Sequence, residues 1–156
     1  MTIEDVKKEL KAYKSNFKLI ESIEEQIEFY NTKLTACTSQ ITGTPKGGSE
    51  VQDKIAEYIV KLEELKANKY SQLIELENNN QQVEKVVCQL AQPYKTLLHI
   101  TYIQLSESED RRGNAKTIIG NRLSDTAVLM NYSYKHVCKL HGEALVEYMK
   151  VREHNV

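Results

Sequence analysis

The chain has 156 residues, enough for one domain or two small ones, and carries a formal net charge of −1 with 28% charged residues. That balance excludes a polyanion binder acting by bulk charge. The charge does tilt along the chain: twelve Lys and Arg stand against fifteen Asp and Glu before Pro93, and nine against seven from Pro93 on, where all four histidines also lie. No stretch approaches the ~18 apolar residues of a membrane span. The first residues lack the apolar core of a signal peptide, and Cys37, Cys88 and Cys138 form no paired motif. The expectation is a cytoplasmic chain with reduced thiols and no membrane partner.

The first ninety residues carry two long helical patterns. Phe17, Ile20, Ile23, Ile27, Tyr30, Leu34 and Ile41 recur at helical spacing with Glu, Gln and Lys between them. Residues 42–48 (Thr-Gly-Thr-Pro-Lys-Gly-Gly) supply the signals that end one helix and start another. Ser49 stands as the next cap, and the stripe resumes through Val51, Ile55, Tyr58, Leu62 and Leu65, then drifts through Leu73, Leu76, Val83, Val86 and Leu90. Two helices of about 55 Å, joined by a tight loop, should fold back as an antiparallel hairpin with a coiled-coil-like seam. Asn78 to Gln82 is a polar patch of low helix propensity, where a bend is expected. Leu19, Phe29, Ile59, Ile74 and Val87 lie off this seam, so residues 1–91 are expected to bury them by self-association, against a partner or against the C-terminal domain.

Pro93 suits the first turn of a third helix, with Leu97, Leu98, Ile100, Tyr102, Ile103 and Leu105 as its apolar positions. An acidic loop from Ser106 to Asp110 precedes a basic stretch, Arg111, Arg112 and Lys116, with Arg122 further on. Such cations either meet backbone phosphates or form a solvated connector offsetting the acidic run.

Asn131 to Leu145 is the most informative segment, read as the turn and second helix of a helix-turn-helix. Ser133 occupies an N-cap position. Val137, Leu140, Ala144, Leu145 and Tyr148 then share one face, leaving Tyr134, Lys135, His136, Cys138 and Lys139 on the outward N-terminal part. Asp125 to Met130 precedes the turn, with the small Ala127 at its middle. An ordinary amphipathic C-terminal helix would share this pattern.

The run from Ser133 to Leu145 resembles the recognition helix with which bacterial primary sigma factors read the −35 promoter element, through Ser133, Val137, Ala144 and Leu145. A closer resemblance is to the RinA/ArpU type of late-gene transcriptional activators of Gram-positive phages and prophages. It rests on Tyr132-Ser133, Lys135-His136, Val137 and the ending Leu140-His141-Gly142-Glu143-Ala144-Leu145. Upstream it rests on Pro45-Lys46-Gly47-Gly48 and Asp53-Lys54-Ile55-Ala56. Departures fall before the turn, where Thr126 stands for a buried Ile and Val128 and Leu129 replace residues that are commonly polar.

The resemblance implies an all-α fold, with a hairpin over 1–91 and a sigma-like helix-turn-helix domain over 92–156. It further implies a DNA-binding transcription regulator in a bacterial host. Its expected DNA contacts are Ser133, Tyr134, Lys135, His136, Cys138 and Lys139, with Arg111, Arg112, Lys116 and Arg122 on phosphates. Double-stranded DNA is the expected partner, a homo-oligomer through 1–91 and host RNA polymerase being further candidates. A small-terminase-like packaging subunit and a helical interaction protein without DNA remain as alternatives. No catalytic residue, cofactor or metal is expected. His136, Cys138 and His141 look metal-like in print, but His136 and Cys138 point about 200° apart on a helix.

Overall fold

The computed structural model describes residues 1–42, 49–104, 106–109, 116–119 and 122–155, with side chains outside 39–49 and 105–121. The fold is all-α: a long antiparallel helical hairpin, α1 (Ile3–Thr42) and α2 (Ser49–Gln89), precedes a small helical domain. The connection at 43–48 and the side chains of Ile41 and of the expected cap Ser49 lie outside the described residues.

The seam of α2 follows a heptad more closely than the expected stripe. Ile55, Ile59, Leu62, Lys66, Lys69, Leu73, Leu76, Asn80, Val83 and Val87 are shielded, stepping alternately by four and three, and the expected Val86 is buried beside them. Val51, Tyr58 and Leu65, expected on the seam, are exposed. Their seven-residue spacing sets them one ridge to its side. Conversely Ile59 and Val87, expected off the seam, lie on it, whereas Leu19, Phe29 and Ile74 are exposed as expected. In α1 the shielded series runs Val6, Leu10, Tyr13, Phe17 and Ile20, then Ile23, Ile27, Tyr30, Leu34 and Cys37. The extra step of three between Ile20 and Ile23 is a local overwinding of the repeat.

The polar patch at Asn78–Gln82 does not interrupt α2, which is continuous through it. Asn80 is buried, donates from Nδ2 to the Tyr13 carbonyl at 3.3 Å and accepts from Asn16 Nδ2 at 2.9 Å. A buried amide costs stability only when its partners are missing. Here both ends are met.

Packing divides the chain elsewhere than at 91/92. One compact unit comprises Met1–Phe17 with Asn79–Val156, the other Lys18–Asn78. The reason lies in the core of the first: Val6, Leu10 and Tyr13 of α1 and Val83, Val86 and Val87 of α2 share it with Leu97, Leu98, Ala127, Val137, Leu140, Ala144, Leu145 and Tyr148. A domain cut at 91/92 would leave those C-terminal residues with half their apolar surroundings missing.

Within that unit, α3 (Tyr94–Leu98) begins after Pro93, which occupies the N-cap rather than the first turn. It runs into a π-helical turn at His99–Ile103, so the expected single helix to Leu105 is shorter and changes its winding. Leu105 itself lies outside the described residues. The span expected to be a loop holds a two-stranded antiparallel ribbon, β1 (Ser106–Glu109) and β2 (Lys116–Ile119), with Ser106 opposite Ile119 and Glu109 opposite Lys116. α4 (Leu123–Met130) and α5 (Tyr134–His154) complete the fold.

Candidate nucleic-acid interface

The local chemistry of residues 122–136 fixes a sharp turn between two helices. Arg122 takes the N-cap position of α4 in extended backbone, and its own N–H donates to Asp125 Oδ2 at 3.2 Å. At the other end Asn131 is left-handed (φ 59°, ψ 39°), a conformation that its short polar side chain tolerates. The Tyr132 N–H reaches the Ala127 carbonyl at 2.9 Å and the Asn131 N–H reaches Val128 at 3.2 Å, which together form a Schellman turn. Ser133 is extended, and its Oγ accepts from the His136 N–H at 3.3 Å. Three residues thus close α4 and open α5, with backbone bonds from Asn131 and Tyr132 at one end and the Ser133 cap at the other. α4 packs directly on α5, so two packed helices are joined by a three-residue turn, the connectivity of a helix-turn-helix.

Three contacts from the third helical segment hold α4 and α5 in place. Tyr94 Oη donates to Glu143 Oε2 at 3.1 Å, and Tyr102 Oη pairs with His141 Nε2 at 2.8 Å with the two rings stacked. Burial, and secondarily the Lys7 ammonium, push the His141 pKa below its ordinary value, so the neutral ring is the form that packs here. His141 therefore orders the helix. The third contact answers the departure noted at Thr126: its Oγ1 lies 3.0 Å from Thr101 Oγ1, and each hydroxyl also lies within reach of a carbonyl, Arg122 and Leu97 respectively, so that one hydroxyl donates to the other and the accepting one donates to its carbonyl. The hydroxyl that replaces an expected aliphatic is matched by a second one.

The inward face of α5 buries Val137, Leu140, Ala144, Leu145 and Tyr148, the five positions expected. Its outward face exposes Tyr134, Lys135, His136, Cys138 and Lys139 over the first two turns. Lys135 and Lys139 are one turn apart on a shared ridge, and Tyr134 and Cys138 form the ridge beside it. The ring of Tyr132 stands edge-on to His136 at 5.0 Å. No acidic residue occupies the first turn of α5, so the partial positive charge of the helix N-terminus is left uncompensated there. Ser133 serves as the cap, its Oγ engaged with the backbone. The Arg122 side chain is exposed at the start of α4. Arg111 and Arg112 lie outside the described residues, and Lys116 is placed only by its backbone at the start of β2.

One feature of this surface escaped the sequence reading. Val128 and Leu129 are 80% and 60% exposed on α4, with Tyr132 and Tyr134 also exposed beside them in sequence. The signal was there, since both positions depart from commonly polar ones. Among the described residues, no three His, Cys, Asp or Glu side chains are placed to hold a metal, and no helix is long and apolar enough to cross a membrane. No family model, curated protein or solved structure matches the chain.

Proposed function

We propose that this protein is a sequence-specific DNA-binding transcription regulator of a phage or prophage, an activator of late or packaging genes acting in the bacterial cytoplasm. The carrying observation is the capped turn at Asn131–Ser133, which seats one face of α5 in the core and leaves Lys135, His136 and Lys139 free on its first two turns. A helix so presented fits the major groove with its N-terminal residues toward base edges. Lys135 and Lys139 suit guanine edges or phosphates, and Tyr134 and Cys138 flank them. Arg122, with Arg111, Arg112 and Lys116, supplies phosphate contacts that add affinity without reading sequence. Self-association through the hairpin would join two or more such readers.

The test is binding to promoter fragments recovered by chromatin immunoprecipitation during prophage induction. Lys135→Ala/Lys139→Ala should weaken cognate binding at least about tenfold, as loss of base contacts worth ~1–3 kcal/mol implies, with helical content intact. Unchanged binding by the folded variant moves the DNA site elsewhere. Occupancy at a packaging site instead of promoters would favour the small-terminase-like role.

The exposed Val128 and Leu129 support a second reading, in which this part of the molecule meets a protein. Host RNA polymerase is the partner an activator would need. Val128→Ser/Leu129→Ser should then keep DNA affinity and lose transcription activation in a reconstituted system.

A further inference from the structure

The unit Lys18–Asn78 has two flanks of opposite chemistry. On one, a groove of about 410 Å³ is lined by Lys33 and Cys37 of α1 and by Val51, Lys54 and Tyr58 of α2. Lys61 and Leu65 continue the same ridges of α2, one helical repeat further on. Phe29 joins from α1, with the Lys33 ammonium 5.4 Å from its ring centre. The rows next to the seam on this flank hold apolar, cationic and neutral polar side chains, Gln26 and Ala36 among them, while Glu57, one turn from both Lys54 and Lys61, stands on the outermost row of α2.

The heptad places a different set on the other flank. Glu24 and Glu28 come from α1, and Val60, Glu63, Tyr70 and Ile74 from α2. All six are exposed. Lys66, half-buried at the seam, leans its ammonium to 6.0 Å from the Tyr70 ring. The two flanks also share a period. Val51, Tyr58 and Leu65 recur every seven residues on the basic side, as do Val60, Ala67 and Ile74 on the acidic side.

We infer that a second copy of this chain occupies the basic flank with its acidic flank. Each flank offers exposed apolar side chains at heptad spacing, which pack as knobs into holes. The rows of charge beside them then attract only when unlike flanks meet. A two-fold interface would set one flank against itself, Lys33, Lys54 and Lys61 facing their own copies, or Glu24, Glu28 and Glu63 facing theirs. The contact is therefore head-to-tail. Such an interface does not stop at two copies; it closes into a ring of three or more, or runs on as a filament. This deepens the self-association named above by assigning its surface, its polarity and its symmetry, and it is independent of what α5 binds.

The test uses the full-length chain and light scattering coupled to size-exclusion chromatography, at low and high salt. The wild type should run as three or more copies, with association weakening as salt rises. Lys33→Glu/Lys54→Glu/Lys61→Glu, and separately Glu24→Lys/Glu28→Lys/Glu63→Lys, should each weaken association at least about tenfold while keeping wild-type circular dichroism. The six-fold variant carrying both reversals should assemble again, because its flanks are once more complementary. A wild type that stays monomeric or stops at a dimer overturns the inference. So does assembly that survives both single-flank reversals, which would leave self-association standing but place it on another surface.

Discussion

Thr101 and Thr126 show how a single residue legible as an anomaly acquires meaning only from its partner. In the sequence, Thr126 is a hydroxyl where an aliphatic belongs; twenty-five positions earlier, Thr101 falls in a segment expected to be plain helix. Both hydroxyls are buried, and their two protons serve the contact between them and one of the two carbonyls in reach, so removing one hydroxyl leaves the other with its carbonyl alone. Thr126→Val should cost about 1 kcal/mol, whereas Thr101→Val/Thr126→Val should recover most of that loss, as read from urea unfolding. A double-variant loss equal to the sum of the two single losses would mean that the pair is not coupled. His141 behaves differently because it titrates. Its folded pKa is lowered from 6.5 by burial first and by Lys7 second, so near that pH the unfolded chain binds more protons than the folded one. Stability is then full above about pH 7 and falls as pH drops through 6.5 toward the depressed folded value. His141→Gln, which keeps a polar group near Tyr102, should flatten the dependence of melting temperature on pH between about 7.5 and 5.5. An unaltered slope would assign the titration to another group.

At the scale of elements, legibility followed periodicity and capping. The turn of the helix-turn-helix was readable because Ser133 has one favoured use before an amphipathic run, and because five inward positions of α5 share a single face. The hairpin was readable from its stripes and its Pro-Gly connection, but its seam was misdrawn over Val51, Tyr58 and Leu65. Two apolar stripes run side by side on α2, and spacing alone does not say which one faces α1. The ribbon β1–β2 left almost no trace, since Ser106–Glu109 is polar, acidic and low in β propensity and only Lys116–Ile119 holds branched residues. The π-helical turn at His99–Ile103 is likewise invisible to a 3.6-residue period. The seam assignment has a direct check at Ile27, which is buried in the unit Lys18–Asn78. Ile27→Glu places a carboxylate there without a partner and should cost at least about 3 kcal/mol, lowering both helical content and the urea midpoint. If neither moves, the seam does not run through Ile27.

For the whole molecule, the division that matters was hidden by the continuity of α1 and α2. Each helix supplies one end to the core that supports α5 and the rest of its length to the flanks of the other unit. The polar patch from Asn78 and the extra step of three after Ile20 fall close to these changes, at Asn79 and Phe17, but both helices run on through them. If α5 reads DNA as proposed, the reader rests on the same two helices that carry the inferred self-association surface. Joining readers turns the second half-site contact into an intramolecular step, which raises affinity for paired sites by about 10² or more without any new contact to DNA. Reversing the basic flank with Lys33→Glu/Lys54→Glu/Lys61→Glu should therefore leave binding to a single half-site nearly unchanged and remove most of that gain on two half-sites. Lys135→Ala/Lys139→Ala should weaken both substrates while leaving the assembly mass as it was. Fluorescence anisotropy on one-site and two-site duplexes, at matched salt, separates the two effects. Equal loss by the flank variant on both duplexes would show that those lysines touch DNA themselves, and that the hairpin belongs to the reading surface.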